Sequence, residues 1–156
     1  MILSTFSEFC DNDTLTTSTG FNFEGSSLDL GSVSPGDIGV GEPLYLVVEV
    51  TTGITTASST GTLTVHLASD AGPTLTGSSS TKHVSSPPFT TSTSEIAAGT
   101  RLLAVQLPEG GNDFERYLGI VVQIETTAIN AGAISAYLTK APPKHVAYAD
   151  GAPTLA

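Results

Sequence analysis

The sequence predicts a single all-β domain, a jelly-roll-like β-sandwich with extended N- and C-terminal arms. Hydrophobic residues make up 39% of the 156 residues, which is enough to form a core. Charged residues make up only 13%, fewer than the solvent-exposed faces of a helical protein usually carry. Ser and Thr supply about a quarter of the chain, and Thr favours strands while Ser favours turns. Apolar residues alternate with a period of two in segments separated by glycine-containing turns, and no helical period is convincing.

The first 26 residues are predicted to form an N-terminal arm or an irregular first strand region. They are polar and mixed, and they carry aromatic side chains with which such a region would dock, namely Phe6, Phe9, Phe21 and Phe23. A short strand is expected at 27–30, followed by a turn and a glycine-rich loop at 36–41.

The sandwich body is predicted to run from residue 27 to residue 140. Its strong strands are expected at 44–50, 62–68, 101–107, 116–125 and 133–139, with a polar loop at 51–61. In the 62–68 strand, Leu63, Val65 and Leu67 alternate with polar residues, so one face is expected to be wet. The last two strands are separated by a short glycine-containing turn and are expected to form a hairpin.

Two further segments are predicted to lie outside the main sheets. Residues 69–94 are rich in Ser, Thr, Gly and Pro and indicate a surface excursion that suits contact with a partner. Within it Pro87-Pro88 interrupts any central strand, while Val84 and Phe89 are candidates to anchor a short edge strand. Residues 141–156 follow a double proline and are expected to form an extended C-terminal arm.

The charge distribution argues against nucleic acid and anionic membranes as partners. The net charge is −10, and the five basic residues are scattered as Lys82, Arg101, Arg116, Lys140 and Lys144. Neutralising phosphates requires clustered basic side chains, whereas an acidic surface is suited to a basic protein partner. No apolar run approaches the roughly 18 residues of a membrane span, and the N-terminus lacks the pattern of a signal peptide.

No residue pattern indicates catalysis, a metal site or a cofactor, so the chain is predicted not to be an enzyme. His66, His83 and His145 lack ligand spacing and are expected at solvated or edge positions. Asp11-Asn12-Asp13 lacks the glycine and distal Glu of a calcium loop, which favours a polar turn. The single cysteine, Cys10, has no sequence-adjacent base and is expected to be buried or idle.

Two further groups of residues have more than one interpretation. Glu109, Asp113 and Glu115 crowd one loop, where a solvated loop with Arg116 pairing one carboxylate is favoured over a glycosidase pair. Tyr45, Val47 and Val121 lie opposite the main apolar stripes. They are expected to form the second layer of the sandwich core or, alternatively, an apolar face for a partner subunit.

Three segments resemble a known family in their order along the chain. They are 39–46 (GVGEPLYL), 107–119 (with LPEG leading to RYLG) and 131–138 (AGAISAYL). With this order the region 28–140 resembles the capsid cement, or decoration, proteins of short-tailed and other tailed double-stranded DNA phages.

The resemblance implies a jelly-roll protein on the outer surface of an icosahedral phage head. Such a protein is made in the bacterial host cytoplasm, bridges neighbouring major capsid proteins and stabilises the mature shell. It implies the major capsid protein of the same phage as partner and a homo-oligomer, with a dimer favoured over a trimer. The candidate contact residues are aromatic or proline side chains of the arms and outer faces: Phe6, Phe9, Phe21, Phe23, Tyr45, Phe89, Pro142, Pro143 and Tyr148.

Two competing hypotheses remain open from the sequence. A carbohydrate- or receptor-binding module of a tail fibre or spike would need an aromatic-lined groove, and the chain has no Trp. An enzyme would need a deep pocket in which polar groups converge.

Overall fold

The fold was analysed in a computed structural model that describes residues 7–31, 43–56, 60–91, 95–108 and 113–141. Every regular element of more than one residue in these ranges is a β-strand. The strands are β1 (Glu8–Thr14), β2 (Gly20–Asp29), β3 (Tyr45–Thr56), β4 (Gly61–Asp70), β5 (Thr81–Ser85), β6 (Phe89–Thr91), β7 (Arg101–Gln106), β8 (Tyr117–Glu125) and β9 (Ile129–Thr139).

The strands form two antiparallel sheets in jelly-roll order. Sheet A has the order β1-β9-β3-β7, and sheet B has the order β2-β8-β4-β5, with β6 also paired to β4. The chain crosses between the sheets at almost every connection, which is how two Greek keys wind into a jelly roll. The predicted all-β sandwich is confirmed.

The main core lies between the two sheets and follows the predicted alternation. Sheet A contributes Leu46, Val48 and Ile134, all at most 1% exposed. Sheet B contributes the stripes of β4 and β8, which are Leu63, Val65, Leu67, Leu118, Ile120, Val122 and Ile124. The period of two therefore identified the buried face of the long strands that it predicted, but it missed most of β2.

The predicted hairpin between the last two strands is wrong. β8 belongs to sheet B and β9 to sheet A, so residues 126–128 cross from one sheet to the other. Thr126 takes a left-handed backbone, φ 72°, within this tight crossing. Periodicity reports which face of a strand is buried, but it does not report which neighbour the strand pairs with.

Several strands are longer than the sequence predicted. β3 continues to Thr56 through part of the expected loop at 51–61, and β9 begins at Ile129 rather than at residue 133. The two extensions pair with each other, as in Thr52↔Ala133 and Thr55↔Ala131, with bulges between the pairs. Threonine is β-branched and pairs well at such an edge even though it gives no apolar signal.

The N-terminal region forms strands in both sheets. β1 lies at the edge of sheet A beside β9, and β2 lies at the edge of sheet B beside β8, reaching well beyond the short strand expected at 27–30. The sequence left two interpretations of residues 1–26, an arm or an irregular first strand region. From Glu8 onward the structure shows the strand region.

The Ser/Thr-rich segment at 69–94 returns to the sheet after residue 80. β5 pairs with His66–Ser69 of β4, and β6 pairs with Gly61–Leu63 of the same strand. Pro87-Pro88 separates them, because proline has no N–H with which to continue the ladder. The predicted edge strand around Val84 and Phe89 is confirmed. The C-terminal arm from residue 142 onward lies outside the described residues.

Candidate partner-binding surfaces

The five predicted contact residues that the structure describes are distributed over strands of both sheets. Phe9 is 2% exposed and belongs to the main core, so its ring is a structural group that a partner cannot reach. Phe21 is 38% exposed, while three others are half-buried: Phe23, Tyr45 and Phe89. Phe6, Pro142, Pro143 and Tyr148 lie outside the described residues.

Residues 71–80, here called the flap, cover part of the outer face of sheet B. Leu75 is 3% exposed and packs with Ala68, Val121 and the ring of Phe23 in a second, smaller cluster. Gly119 lies beneath it, and a Cβ there would come within 2.9 Å of the Phe23 ring. The flap is also tied to β2, because the Ser27 hydroxyl donates to the Pro73 carbonyl at 2.8 Å.

This second cluster corrects the expected wet face of β4. Ala68 is wholly buried and His66 is 6% exposed, although both lie on the face opposite the main core. Val121 belongs to this second cluster and not to the sandwich core, so the core layer expected for it is replaced by an apolar layer under the flap. The sequence signal for the flap was Leu75, a single aliphatic residue within a polar stretch.

Phe21 is held on the outer face of sheet B by three groups. The Lys82 ammonium lies 3.9 Å from its ring centroid, and the His66 ring centroid lies 6.1 Å away. Gly77 of the flap packs directly against the Phe21 side chain, where a Cβ would overlap it. Phe21 is therefore an exposed aromatic group, but one side of its ring already carries a cation.

A directional chain of hydrogen bonds crosses the same face. The Gln123 amide donates to Glu125 Oε1 at 2.6 Å, so its carbonyl oxygen faces His66 Nε2 at 3.0 Å. His66 therefore donates from Nε2 and accepts on Nδ1 from the Ser85 hydroxyl at 2.7 Å. His66 was expected at a solvated or edge position. It is instead buried, and both of its ring nitrogens take part in this network.

The Ser85–His66–Gln123 connectivity resembles that of a catalytic triad but lacks the electrostatics of one. In a triad a carboxylate next to the imidazole stabilises the imidazolium that forms during acyl transfer. Here the neutral amide of Gln123 occupies that position. Burial lowers the pKa of His66, the hydrogen bond that its Nε2–H donates to the Gln123 carbonyl oxygen opposes this, and the Lys82 charge lowers the pKa further. The geometry supports a structural network rather than a nucleophile.

A second serine–histidine pair lies at the end of the sandwich. The Ser69 hydroxyl contacts His83 Nε2 at 2.7 Å and accepts the Glu115 backbone N–H at 3.0 Å. The Phe114 ring packs edge-on against His83 at 4.5 Å, and Thr81 donates to the Glu115 carboxylate at 2.9 Å. Burial lowers the pKa of His83, while the nearby charge of Glu115 acts in the opposite direction.

Arg116 ties the start of β8 to the end of β2. Its guanidinium makes a bidentate ion pair with Asp29, with distances of 3.0 and 2.9 Å, and lies 4.9 Å from the Tyr117 ring centroid. The sequence predicted that Arg116 pairs a carboxylate of its own loop. The actual partner is 87 residues away, which spacing alone could not reveal. The pair lowers the pKa of Asp29.

The outer face of sheet A carries a partly buried ion pair. Arg101 contacts Glu49 at 3.0 Å, with the two side chains 12% and 31% exposed. A bulge between Val48 and Glu49 lets Leu102 join the core while Arg101 reaches Glu49. Tyr137 and Val47 are buried on this face at 8% and 0%, and Tyr45 at its end is half-exposed.

A cleft of about 280 Å³ lies along the edge strand β1. Three of its lining residues are acidic, and the full lining is Glu8, Phe9, Cys10, Asp11, Asp13 and Ser26. Asp11 to Asp13 lie within the irregular strand β1 rather than in the expected turn, and Asn12 has φ 53°. Burial and nearby carboxylates raise the pKa of Cys10 to about 12, which makes it an inert thiol.

The described ranges contain no group of three His, Cys, Asp or Glu side chains placed to hold a metal ion. In the same ranges no helix is long and apolar enough to cross a bilayer.

Comparison with known proteins assigns the chain to a family. No curated protein matches it significantly. The sequence profile of the family Bbp16 matches residues 11–138, which span the body from within β1 to the end of β9 and include both sheets, the flap and the two serine–histidine pairs. The chain therefore belongs to the Bbp16 family.

Proposed function

We propose that this chain is a capsid cement protein that binds the outer surface of an icosahedral phage head. In this role it bridges neighbouring major capsid proteins and stabilises the mature shell. The observation that carries the proposal is the match of the Bbp16 family, whose name points toward a phage protein, across a jelly-roll body. Jelly rolls are common among viral structural proteins, although the fold by itself does not specify a role.

The charge of the chain is compatible with a protein partner. A net charge of −10 favours association with a basic surface and disfavours contact with packaged DNA. Bridging would draw its strength from multivalency, because the second contact becomes effectively intramolecular once the first has formed. A standard interface would bury about 800 Å² on each partner.

Fractionation of a phage lysate on a density gradient tests the proposal. Mass spectrometry of each band is expected to find this chain with DNA-filled heads, at a copy number set by the symmetry of the shell. A few copies per particle would instead indicate a tail or receptor-binding protein. Recovery only in the soluble fraction would overturn the cement proposal.

A rebinding experiment tests the predicted contact at Phe21. Purified protein would be added to heads stripped of the chain, and Phe21→Ala compared with Thr90→Ala, an exposed residue of the same sheet. If Phe21 contacts the capsid, Phe21→Ala is expected to weaken binding by at least tenfold while Thr90→Ala binds normally. Equal binding by both variants would remove Phe21 from the interface.

The carbohydrate- or receptor-binding alternative has a separate test. It requires an aromatic platform, and the Phe21 ring has Lys82 over one face. A glycan array probed with the full chain would support this alternative if a defined glycan bound and Phe21→Ala abolished the signal.

A further inference from the structure

Two buried serine hydroxyls near the strand pair β4–β5 each accept a backbone N–H from a neighbouring segment. Ser69 accepts the Glu115 backbone N–H at 3.0 Å, and Ser86 accepts the Val65 backbone N–H at 3.0 Å. Ser69 is 0% exposed and Ser86 is 6% exposed. Each hydroxyl then directs its own proton to one further acceptor.

The two acceptors differ in one respect. The Ser86 hydroxyl donates to the Pro87 carbonyl at 2.8 Å. The Ser69 hydroxyl lies 2.7 Å from His83 Nε2, and we assign the proton of this bond to Ser69, because a buried hydroxyl proton needs an acceptor and the neutral imidazole offers one there. A carbonyl keeps its lone pairs at every accessible pH, but an imidazole nitrogen loses its lone pair on protonation. Ser69 is therefore a buried hydroxyl whose bonding depends on the protonation of its partner.

Protonation of His83 creates a conflict at Ser69. The Nε2–H then takes one lone pair of the Ser69 oxygen and the Glu115 N–H keeps the other, so the hydroxyl proton must turn away from Nε2. With no exposed surface at Ser69, that proton has no water to turn to and is left without an acceptor. Opening of the Ser69–Glu115 contact would admit water and relieve this cost.

We propose that the Ser69–His83 pair is a proton-sensitive lock on residues 113–116, here called the corner. With neutral His83 the lock holds the Glu115 backbone against the end of β4. With protonated His83 the Ser69–Glu115 bond opens and the corner loosens. The lock is a property of the folded chain and does not depend on the proposed capsid role.

The charged groups around His83 lie on the corner, on β5 and at the end of β4. On the corner, the negative charge of Glu115 favours the protonated form of His83. Asp113 is the first residue of the same segment, and Arg116 is paired with Asp29. On β5, Lys82 lies over Phe21, and at the end of β4, Asp70 accepts from Ser80. Attraction of Glu115 to protonated His83 would draw its carboxylate away from Thr81, which adds to the loosening.

Burial places the titration of His83 below the ordinary pKa of 6.5 for histidine. The lock is therefore closed at neutral pH and opens as the pH falls below 6.5 through the folded pKa of His83. The two histidines are also expected to differ in tautomer, because His83 accepts on Nε2 while His66 donates from Nε2 to Gln123.

NMR titration of the full chain tests the lock. At pH 7.5, His83 is expected as the Nδ1–H tautomer and His66 as the Nε2–H tautomer. As the pH falls, the Glu115 amide should shift with the same midpoint as the His83 ring. Its hydrogen-exchange protection factor should drop at least threefold between pH 7.5 and a pH below that midpoint, while that of Val65 stays constant.

The Val65 amide is the matched internal control, since it donates to a buried serine without a titrating partner. His83→Gln offers Ser69 an amide oxygen that does not titrate and is expected to abolish the Glu115 response, whereas His66→Gln should keep it. A Glu115 amide that titrates no more than Val65, or an Nε2–H tautomer at His83, would overturn the proposal. Both outcomes are read from the unaltered protein, so they do not depend on the folding of a variant.

Discussion

At position 25 the backbone requires glycine for two separate reasons. Gly25 has φ 73°, and a Cβ there would lie 2.6 Å from the Cys10 Cβ and closer still to the Phe9 carbonyl oxygen. The absence of a side chain therefore lets β1 and β2 approach each other where the two sheets meet. Gly99 has a similar φ, 85°, but a Cβ there meets nothing within 4 Å.

Alanine substitutions at these two glycines separate backbone strain from close approach. Gly99→Ala is expected to cost about 1 kcal/mol of unfolding free energy, the cost of a left-handed non-glycine residue. Gly25→Ala should cost about 3 kcal/mol, because the β1–β2 contact must also open. Urea denaturation measures both, and equal costs would mean that the β1–β2 approach is not constrained by Gly25.

Glu24 is a buried carboxylate whose ionisation opposes folding. It is 4% exposed and accepts the Thr16 N–H at 3.0 Å, and burial raises its pKa. A raised folded-state pKa means that the folded protein binds the proton more tightly than the unfolded chain does. Stability is therefore lost as the pH rises from the unfolded value of 4.5 through the folded pKa.

Glu24→Gln is expected to raise stability at pH 7 and to remove this part of the pH dependence. Glutamine keeps an oxygen for the Thr16 N–H but carries no charge. Denaturation curves at pH 4 and pH 7 provide the measurement, with exposed Asp113→Asn as the control. A destabilised Glu24→Gln at pH 7 would show that the carboxylate is stabilising instead.

At the scale of elements, the flap depends on one side chain. Leu75 supplies its buried anchor, whereas the neighbouring Thr74 is exposed. Leu75→Ala is expected to cost about 2 kcal/mol, the low end for a buried leucine, because the second cluster is small. Thr74→Ala should be neutral.

Limited proteolysis measures how far Leu75→Ala loosens the flap itself. Loss of the anchor is expected to make residues 71–80 the first cleavage site, since local opening exposes the backbone to a protease. If Leu75→Ala is cleaved no faster than Thr74→Ala, the flap is held by its hydrogen bonds, such as that from Ser27 to Pro73.

Sequence patterns predicted the core-facing side of some strands but not where every strand ends. The stripes of β4 and β8 were predicted residue by residue, because a half-buried strand must place apolar groups at every second position. The extension of β3 over residues 51–56 was missed because threonine pairs well without an apolar signal.

At the scale of the whole molecule, the histidines make stability depend on pH. Burial lowers the pKa of both His66 and His83. Because the unfolded chain binds protons more readily, stability is complete above the ordinary pKa of 6.5 and falls as the pH drops through 6.5 toward the folded values. The lowered pKa values of Asp29 and Asp70 add a further loss below their ordinary 3.8.

The double variant His66→Gln/His83→Gln is expected to flatten the stability profile between pH 7 and pH 5. Glu24 acts in the opposite direction as the pH rises above 4.5 through its folded pKa, so Glu24→Gln is the appropriate background. Chemical denaturation at half-unit pH steps measures the profile. An unchanged slope in the histidine variant would assign the acid sensitivity to other groups.

The sequence by itself determined the all-β class, the buried face of the long strands that it predicted and the acidic surface, since composition and a period of two are local properties of a chain. The tertiary structure alone decided that β8 and β9 cross between sheets, that Asp29 pairs Arg116, and that two histidines meet serines on a neighbouring strand. These features join residues 14 to 87 positions apart, and strand alternation holds no information about which neighbour a strand will meet.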